Sequence, residues 1–257
     1  KKTVKLAAGK TGSVNIPVSM PTGKAYRFGE SLKLSLKVDI QPDGYQQVVE
    51  IPAVAGAWIP ASGLSGREPD LEVKTRPQIQ NLFDYDPGSM RYVWNGGKDL
   101  SVKAWLGADR KKGLLNIRVD VRDDKHVAEN TGKSIRKGDS LVVAIYPNSY
   151  KGRWLIGVAG DGKSKPMFSV YAKAKGRGRD PWGDVKVTRS GDHTIYDLAL
   201  DMKKIGISNA DLDKGIGFNF AVYDRDLDQK EGWAELAPGI AGRHRKKTTP
   251  PLIRFEK

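Results

Sequence analysis

Short runs in which apolar and polar residues alternate recur along the chain and predict β-strands. Residues 13–19 and 32–38 alternate with the period of two that is typical of a half-buried strand. After residue 79 the pattern recurs with turn residues between the runs. The strands predicted there are 101–106, 114–121, 140–146, 154–159, 167–173, 184–189, 194–200, 216–223 and 251–255. Helical character is confined to 201–213.

This order of elements predicts an all-β protein. Strands do not alternate with helices, and neither a tandem repeat nor a heptad pattern is present, so an antiparallel β-sandwich of jelly-roll or Ig-like type is the economical architecture. We divide the chain into a partial Ig-like segment (1–60), a Pro- and Gly-rich linker (61–78) and the sandwich (79–257). Because the chain starts at Lys1 without Met, we interpret it as a piece of a larger protein.

Composition adds a strong charge bias to this picture. The 257 residues carry a net charge of +14, with no Cys and three His. Such a field favours polyanions, although a solvated basic surface is the simpler interpretation. The charge is clustered in 173–179 (KAKGRGR), in 243–247 (RHRKK) and around Arg136. No apolar run approaches the roughly 18 residues that span a bilayer, so we expect no membrane span.

Carboxylates lie at an end of three predicted strands, and Asp139 opens the one at 140–146. Asp123 and Asp124 follow the strand at 114–121, and Asp224, Asp226 and Asp228 occupy every second position after the strand that starts at 216. In an extended chain that spacing places the last three on one side. Calcium takes six to eight oxygen ligands, so we predict a structural Ca²⁺ at these residues. The alternative is that they are acidic turn residues paired with Lys and Arg.

Five segments in a fixed order carry a resemblance to a known family. They are 99–105 (DLSVKAW), 114–124, 138–143 (GDSLVV), 217–226 and 232–240 (GWAELAPGI). In these segments residues 79–257 resemble the family 9 carbohydrate-binding modules, within the broader DOMON-like group of β-sandwiches. The resemblance implies a non-catalytic accessory domain of a secreted or cell-surface, multidomain bacterial protein such as a glycoside hydrolase or lyase.

The chain departs from that family at the sugar-binding positions. Family 9 modules that grip a sugar end do so with two Trp, one before an Asp-Ser pair and one before the last strand. Here 134–140 and 242–247 contain no Trp and are rich in cations. Arginine offers a fork of donors to sulfate and carboxylate, so we predict a sulfated or uronic polysaccharide as the ligand. The predicted ligand-binding residues are Arg136, Arg177, Arg179, Trp182, Arg243, His244 and Arg245.

Trp182 lies in a turn-rich stretch between cations, where it would serve as a stacking platform or fold back over the sandwich. Other functions stay open. A decayed site would leave a structural spacer or an assembly domain with a generic basic face. A polysaccharide hydrolase or lyase needs only two carboxylates across a cleft, and the 30 acidic residues offer many such pairs. Nucleic-acid binding through charge alone is the weakest alternative, and the sequence contains no Gly-x-Ser-x-Gly motif, P-loop or Cys nucleophile.

Overall fold

The architecture is taken from a computed structural model. It describes residues 33–40, 45–52, 56–59, 64–74, 79–81, 94–128, 132–147, 152–172, 180–225, 231–237, 239–241 and 250–256. The predicted strand at 13–19 lies outside the described residues.

The described elements are almost all strands. They are β1 (Lys33–Ile40), β2 (Tyr45–Pro52), β3 (Gly56–Ile59), β4 (Leu71–Val73), β5 (Ile79–Asn81), β6 (Leu100–Asp109), β7 (Leu114–Asp123), β8 (Ser140–Tyr146), β9 (Trp154–Ala159), β10 (Met167–Ala172), β11 (Trp182–Ser190), β12 (His193–Asp201), β13 (Ile216–Arg225), β14 (Glu231–Glu235) and β15 (Leu252–Phe255). Two short helices, α1 (Met202–Ile205) and α2 (Asn209–Lys214), lie where the sequence predicts helical character.

Two sheets form the sandwich. An eight-stranded sheet runs β10-β9-β8-β13-β14-β5, with β15 pairing with β13 and β3 pairing with β15. A five-stranded sheet runs β11-β12-β7-β6-β4. Apart from the parallel pair β3–β15, the strands in these sheets pair antiparallel. The predicted fold class, an all-β antiparallel sandwich, is confirmed.

The first strands divide differently from the predicted boundaries. β1 and β2 form a separate two-stranded antiparallel sheet. β3 pairs with β15 and β4 pairs with β6, so both belong to the sandwich sheets. The sandwich therefore includes residues that the sequence assigned to the partial Ig-like segment and to the linker.

The two sheets differ in how their outer faces are covered. Along β7 and β12 buried and partly exposed residues alternate, so the outer face of the five-stranded sheet meets solvent. Along β8 and β13 nearly every residue is buried, so the eight-stranded sheet is covered on both faces. The inner faces of both sheets share one core, which includes Ile117, Val143, Trp154 and Phe220.

The helices have conventional ends. The Asp201 side chain accepts from the Lys204 N–H at the start of α1, and Gly206 at φ 79° ends it. Ser208 and Asp211 form a reciprocal capping box at the start of α2. Among the described residues, no helix is both long enough and apolar enough to cross a bilayer.

Truncation of a core side chain on β13 should reveal how far stability depends on the contact between the sheets. Phe220 is fully buried in the shared core. We expect Phe220→Ala to lower the free energy of unfolding by about 3–5 kcal/mol, because it removes apolar burial and leaves a cavity. Leu252→Ala is the control, since Leu252 is 38% exposed. Chemical denaturation would measure both, and equal losses would contradict this account of the core.

Candidate functional site

The outer face of the eight-stranded sheet carries an aromatic cluster. Tyr223 of β13 lies opposite Trp233 of β14 in the strand register, and their ring centroids are 6.3 Å apart. Their neighbours Val222 and Ala234 belong to the core between the sheets, so the two rings point outward. Both rings are nevertheless buried, because further residues pack over this face.

An arginine lies over the Tyr223 ring and over a third ring, that of Tyr171. Arg136 belongs to a 3₁₀ helix (Gly132–Lys137) that precedes β8. Its guanidinium carbon lies 4.4 Å from the centroid of the Tyr171 ring and 5.9 Å from that of Tyr223. Both distances fall within the range of a cation–π contact.

A glycine makes room for this arrangement. A Cβ on Gly157 of β9 would lie 2.8 Å from the Tyr171 ring and 3.3 Å from the Ile135 side chain. The absence of a side chain at this position therefore lets the ring and the 3₁₀ helix lie close to the sheet.

Two charged side chains hold the segment 239–241 near this face. Arg153 Nη1 donates to the Tyr146 hydroxyl at 2.8 Å and to the Gly239 carbonyl at 3.2 Å. A Glu235 carboxylate oxygen accepts from the Ile240 N–H at 2.5 Å and from the Ala241 N–H at 3.2 Å. Burial raises the pKa of Glu235 to about 7, despite these hydrogen bonds.

The structure describes only some of the predicted ligand-binding residues. Arg136 lies over the aromatic cluster, as described. The side chains of Arg177, Arg179, Arg243, His244 and Arg245 lie outside the described residues.

Trp182 lies in a strand and not in the predicted loop. It is the first residue of β11 and pairs with Leu200. The register shifts between Trp182 and Asp184, so a bulge at Gly183 lets the strand begin in what reads as a turn sequence. A Cβ on Gly183 would lie 2.9 Å from the Leu114 side chain, which explains the glycine. The Trp182 side chain itself lies outside the described residues.

The predicted metal ligands lie in different environments. Asp123 and Asp224 are buried and line one small cavity between the sheets. Asp124 is exposed, and Asp226 and Asp228 lie outside the described residues. The calcium at these residues therefore stays a prediction.

A second pair of residues joins Asp123 in that cavity. His126 follows Asp123 by three residues, and Asp139 directly precedes β8 in the other sheet. His126 Nδ1 lies 3.4 Å from a carboxylate oxygen of Asp123 and 3.3 Å from one of Asp139. The structure thus brings one imidazole and two carboxylates together where the sheets meet.

Burial and the neighbouring charges shift the pKa values of the groups in this cluster. Burial by itself would lower the pKa of His126, but the carboxylates of Asp123 and Asp139 outweigh it and raise the pKa to about 9. Burial also raises the pKa of the Asp139 carboxyl. Burial raises the pKa of the Tyr196 hydroxyl beside them, and the two carboxylates add to that effect.

Sequence reasoning missed several of these residues. His126 was noticeable because it follows two aspartates, but nothing in the sequence brings Asp139 across from the other sheet. Tyr171 and Glu235 carry no local signal, since each looks like an ordinary strand residue. Their roles follow from strand pairing, which places them beside Arg136 and the segment 239–241.

A comparison of the whole chain with solved structures found carbohydrate-binding modules. One is a family 9 carbohydrate-binding module from Caldicellulosiruptor kristjanssonii in complex with cellotriose, at 13% identity and a TM-score of 0.49, covering 77% of this chain and 92% of that one. The complex of a family 9 module from the same organism with glucose gives 13% identity and a TM-score of 0.46, covering 77% and 94%. No family model and no curated protein matches this chain.

Glu235 should make the stability of the protein depend on pH. Its pKa of about 7 in the folded protein lies above the ordinary value of 4.5, so the folded state binds the proton more tightly. Its contribution to stability is therefore fully present below pH 4.5 and is lost as the pH rises through 7. We expect the stability difference, wild type minus Glu235→Gln, to fall by on the order of 1–3 kcal/mol between those limits.

Denaturant titrations of both proteins from pH 4 to pH 8 would measure this difference. Other titrating groups cancel in it, because both proteins contain them. A difference that stays flat across the range would contradict a buried, proton-holding Glu235.

Proposed function

We propose that the protein is a non-catalytic carbohydrate-binding domain of a larger secreted, polysaccharide-active protein. The outer face of its eight-stranded sheet would bind an anionic polysaccharide, either sulfated or uronic. The single observation that carries this proposal is the position of Arg136 over the rings of Tyr171 and Tyr223.

Arg136 differs in its surroundings from five other arginines of the described chain. Arg67, Arg110, Arg118, Arg122 and Arg189 each lie within 4 Å of an aspartate oxygen. Arg136 instead packs against tyrosines, which do not neutralise its charge. A guanidinium held on a ring keeps its in-plane N–H donors at the edge, where a sulfate or carboxylate can accept from two of them.

The aromatic residues beside it suit the rest of a sugar. Sugar rings offer C–H faces to aromatic side chains and hydroxyls to convergent polar groups. Tyr171 and Tyr146 are partly exposed at the margin of the cluster, each beside an arginine. A sugar with an acidic substituent would thus meet a ring and a cation together.

The overall charge supports the same class of ligand without selecting among its members. A net charge of +14 attracts any polyanion over several ångströms and weakens as salt is added. Selectivity must come from local geometry such as that at Arg136. Binding would raise the local concentration of a parent enzyme on its substrate, which is the benefit of a linked binding module.

A second candidate function follows from the burial of the cluster. Tyr223 and Trp233 are only 5% and 1% exposed, so neither offers an open stacking surface. A spacer or assembly domain with a generic basic face would also bury these rings. This candidate requires no preference among polymers of equal charge.

Native gel electrophoresis through immobilised polysaccharides would test the proposal. We expect retardation by one acidic polymer, such as alginate or a sulfated galactan, to persist at about 0.15 M salt, where exposed charges are screened beyond about 8 Å. Neutral glucan and xylan should have little effect. Arg136→Ala should weaken binding roughly 10- to 100-fold, the loss expected for charge-assisted hydrogen bonds.

Arg118→Ala is the matched control. It removes the same charge from the outer face of the five-stranded sheet, where Arg118 Nε lies 2.7 Å from Asp197. An equal loss in both variants, or retardation that vanishes with salt for every polyanion, would favour the generic basic face. Release of reducing ends from the retarding polymer would contradict a non-catalytic domain.

A further inference from the structure

We propose that Asp123, His126 and Asp139 form a binding site for a divalent transition-metal ion of the zinc type. The three side chains come from both sheets: Asp123 ends β7, and Asp139 directly precedes β8. One ligand atom from each lies within 4.8 Å of the others. The site goes beyond the proposed carbohydrate binding and lies on the opposite, inner side of the eight-stranded sheet.

The backbone determines which nitrogen of His126 faces the carboxylates. His126 Nε2 lies 3.0 Å from the Gly160 carbonyl oxygen. A carbonyl only accepts, so Nε2 carries the proton. The lone pair of a neutral ring is then at Nδ1, directed at two carboxylate oxygens. Three acceptors facing one another require a cation between them, which is either a proton, on Nδ1 or on a carboxylate, or a metal ion.

The two nitrogen–oxygen distances are long for a two-centre hydrogen bond and are compatible with a metal ion. Charge-assisted hydrogen bonds between an imidazolium and a carboxylate are about 2.7–2.9 Å long. Here Nδ1 lies 3.4 Å from Asp123 and 3.3 Å from Asp139. Ligands that share one tetrahedral zinc at 2.0–2.2 Å are about 3.4 Å apart, by the geometry of a tetrahedron.

The surrounding contacts hold the carboxylates in position. Asp123 Oδ1 accepts from the Lys125 N–H at 2.8 Å, and Asp139 Oδ1 accepts from the Arg225 N–H at 2.7 Å. Asp139 Oδ2 also accepts from the Val127 N–H. Such outer hydrogen bonds, like that of His126 to Gly160, orient metal ligands in proteins.

The donor set favours a zinc-type ion over calcium. The imidazole nitrogen suits zinc, whereas calcium takes six to eight oxygens. The Asp224 carboxylate lines the same cavity and could supply a further oxygen. The cavity wall combines the apolar Leu100, Val121 and Val222 with polar residues that include Thr194 and Tyr196. The cavity measures about 10 Å³, which is room for about one water-sized sphere.

One neighbouring cation has to be accommodated. Arg189 Nη1 lies 3.8 Å from an Asp123 oxygen, and it donates to the Thr194 hydroxyl at 2.7 Å. Its other terminal nitrogen donates to the Asp123 backbone carbonyl at 3.3 Å. The guanidinium is thus farther from the Asp123 carboxylate oxygen, at 3.8 Å, than the imidazole, at 3.4 Å.

Cobalt(II) is a direct probe for this site, because its visible spectrum distinguishes tetrahedral from octahedral coordination. The full chain without a His tag, stripped with a chelator, would be titrated with Co²⁺. We expect stoichiometric binding with tetrahedral bands, displacement by Zn²⁺ and no displacement by Ca²⁺. His126→Gln and Asp139→Asn should each weaken binding by more than about 100-fold, the upper effect of outer-shell changes.

His193→Asn is the matched control. His193 Nδ1 also lies near an aspartate, 2.8 Å from Asp120, but on the exposed face of the other sheet. Binding that persists in His126→Gln or is lost in His193→Asn would overturn the assignment. If the buried-site variants do not fold, the wild-type protein with Co²⁺ is measured by NMR. Paramagnetic shifts of the His126 ring protons would support the site, and unshifted ring protons would overturn it.

Two further results would also overturn the proposal. Displacement of Co²⁺ by Ca²⁺, or octahedral bands, would identify an oxygen-rich calcium site. Absence of Co²⁺ binding, with both His126 nitrogens protonated in a ¹⁵N spectrum at neutral pH, would identify the cation as a proton.

Discussion

Burial of the eight-stranded sheet on both faces is the constraint on which the rest of the structure depends. A sheet with one solvated face needs only alternating residues, as in β7 and β12. β8 and β13 have apolar residues on both sides, so something must cover the outer face. The 3₁₀ helix and the segment 239–241 help to cover it. The helix brings Arg136 onto that face, and the segment binds Glu235 of β14 through its backbone N–H groups.

The same constraint explains why Asn219 and Glu235 inside this region have defined partners. A buried polar group without a hydrogen bond costs free energy. Asn219 of β13 donates to the Ala237 carbonyl at 2.6 Å and accepts from the Ala237 N–H at 3.1 Å. Glu235 accepts two backbone N–H groups and still has a raised pKa. Hydrogen bonding thus reduces the cost of burying the carboxyl without removing it.

Local pattern was sufficient to predict most of the strands. β8 and β9 have the predicted bounds, because apolar runs flanked by turn residues are a strong signal. β4 is three residues long and flanked by prolines, so no period is visible in it. β11 begins at Trp182 because a bulge at Gly183 tolerates a turn-like sequence. The parallel pairing of β3 with β15 joins distant parts of the chain, so the local sequence pattern does not predict it.

The candidate sites were harder to predict, for a related reason. Charge clustering identified Arg136, and strand-end position identified Asp123. The partners of both residues come from elsewhere in the fold, Tyr171 from β10 for Arg136 and Asp139 from the other sheet for Asp123. Side-chain type can therefore suggest a site, but strand pairing and sheet packing decide which residues complete it.

The buried cluster and the arginine face are connected through one stretch of chain. The Asp139 N–H donates to the Val127 carbonyl at 2.7 Å, and the Asp139 carboxylate accepts from the Val127 N–H. These bonds close a loop that runs from Val127 to Asp139 and contains the 3₁₀ helix with Arg136. Arg225 donates from Nη1 to the Lys137 carbonyl at 2.5 Å, which ties the end of that helix to β13. These hydrogen bonds therefore connect Asp139, on the inner side, with the 3₁₀ helix that carries Arg136 on the outer side.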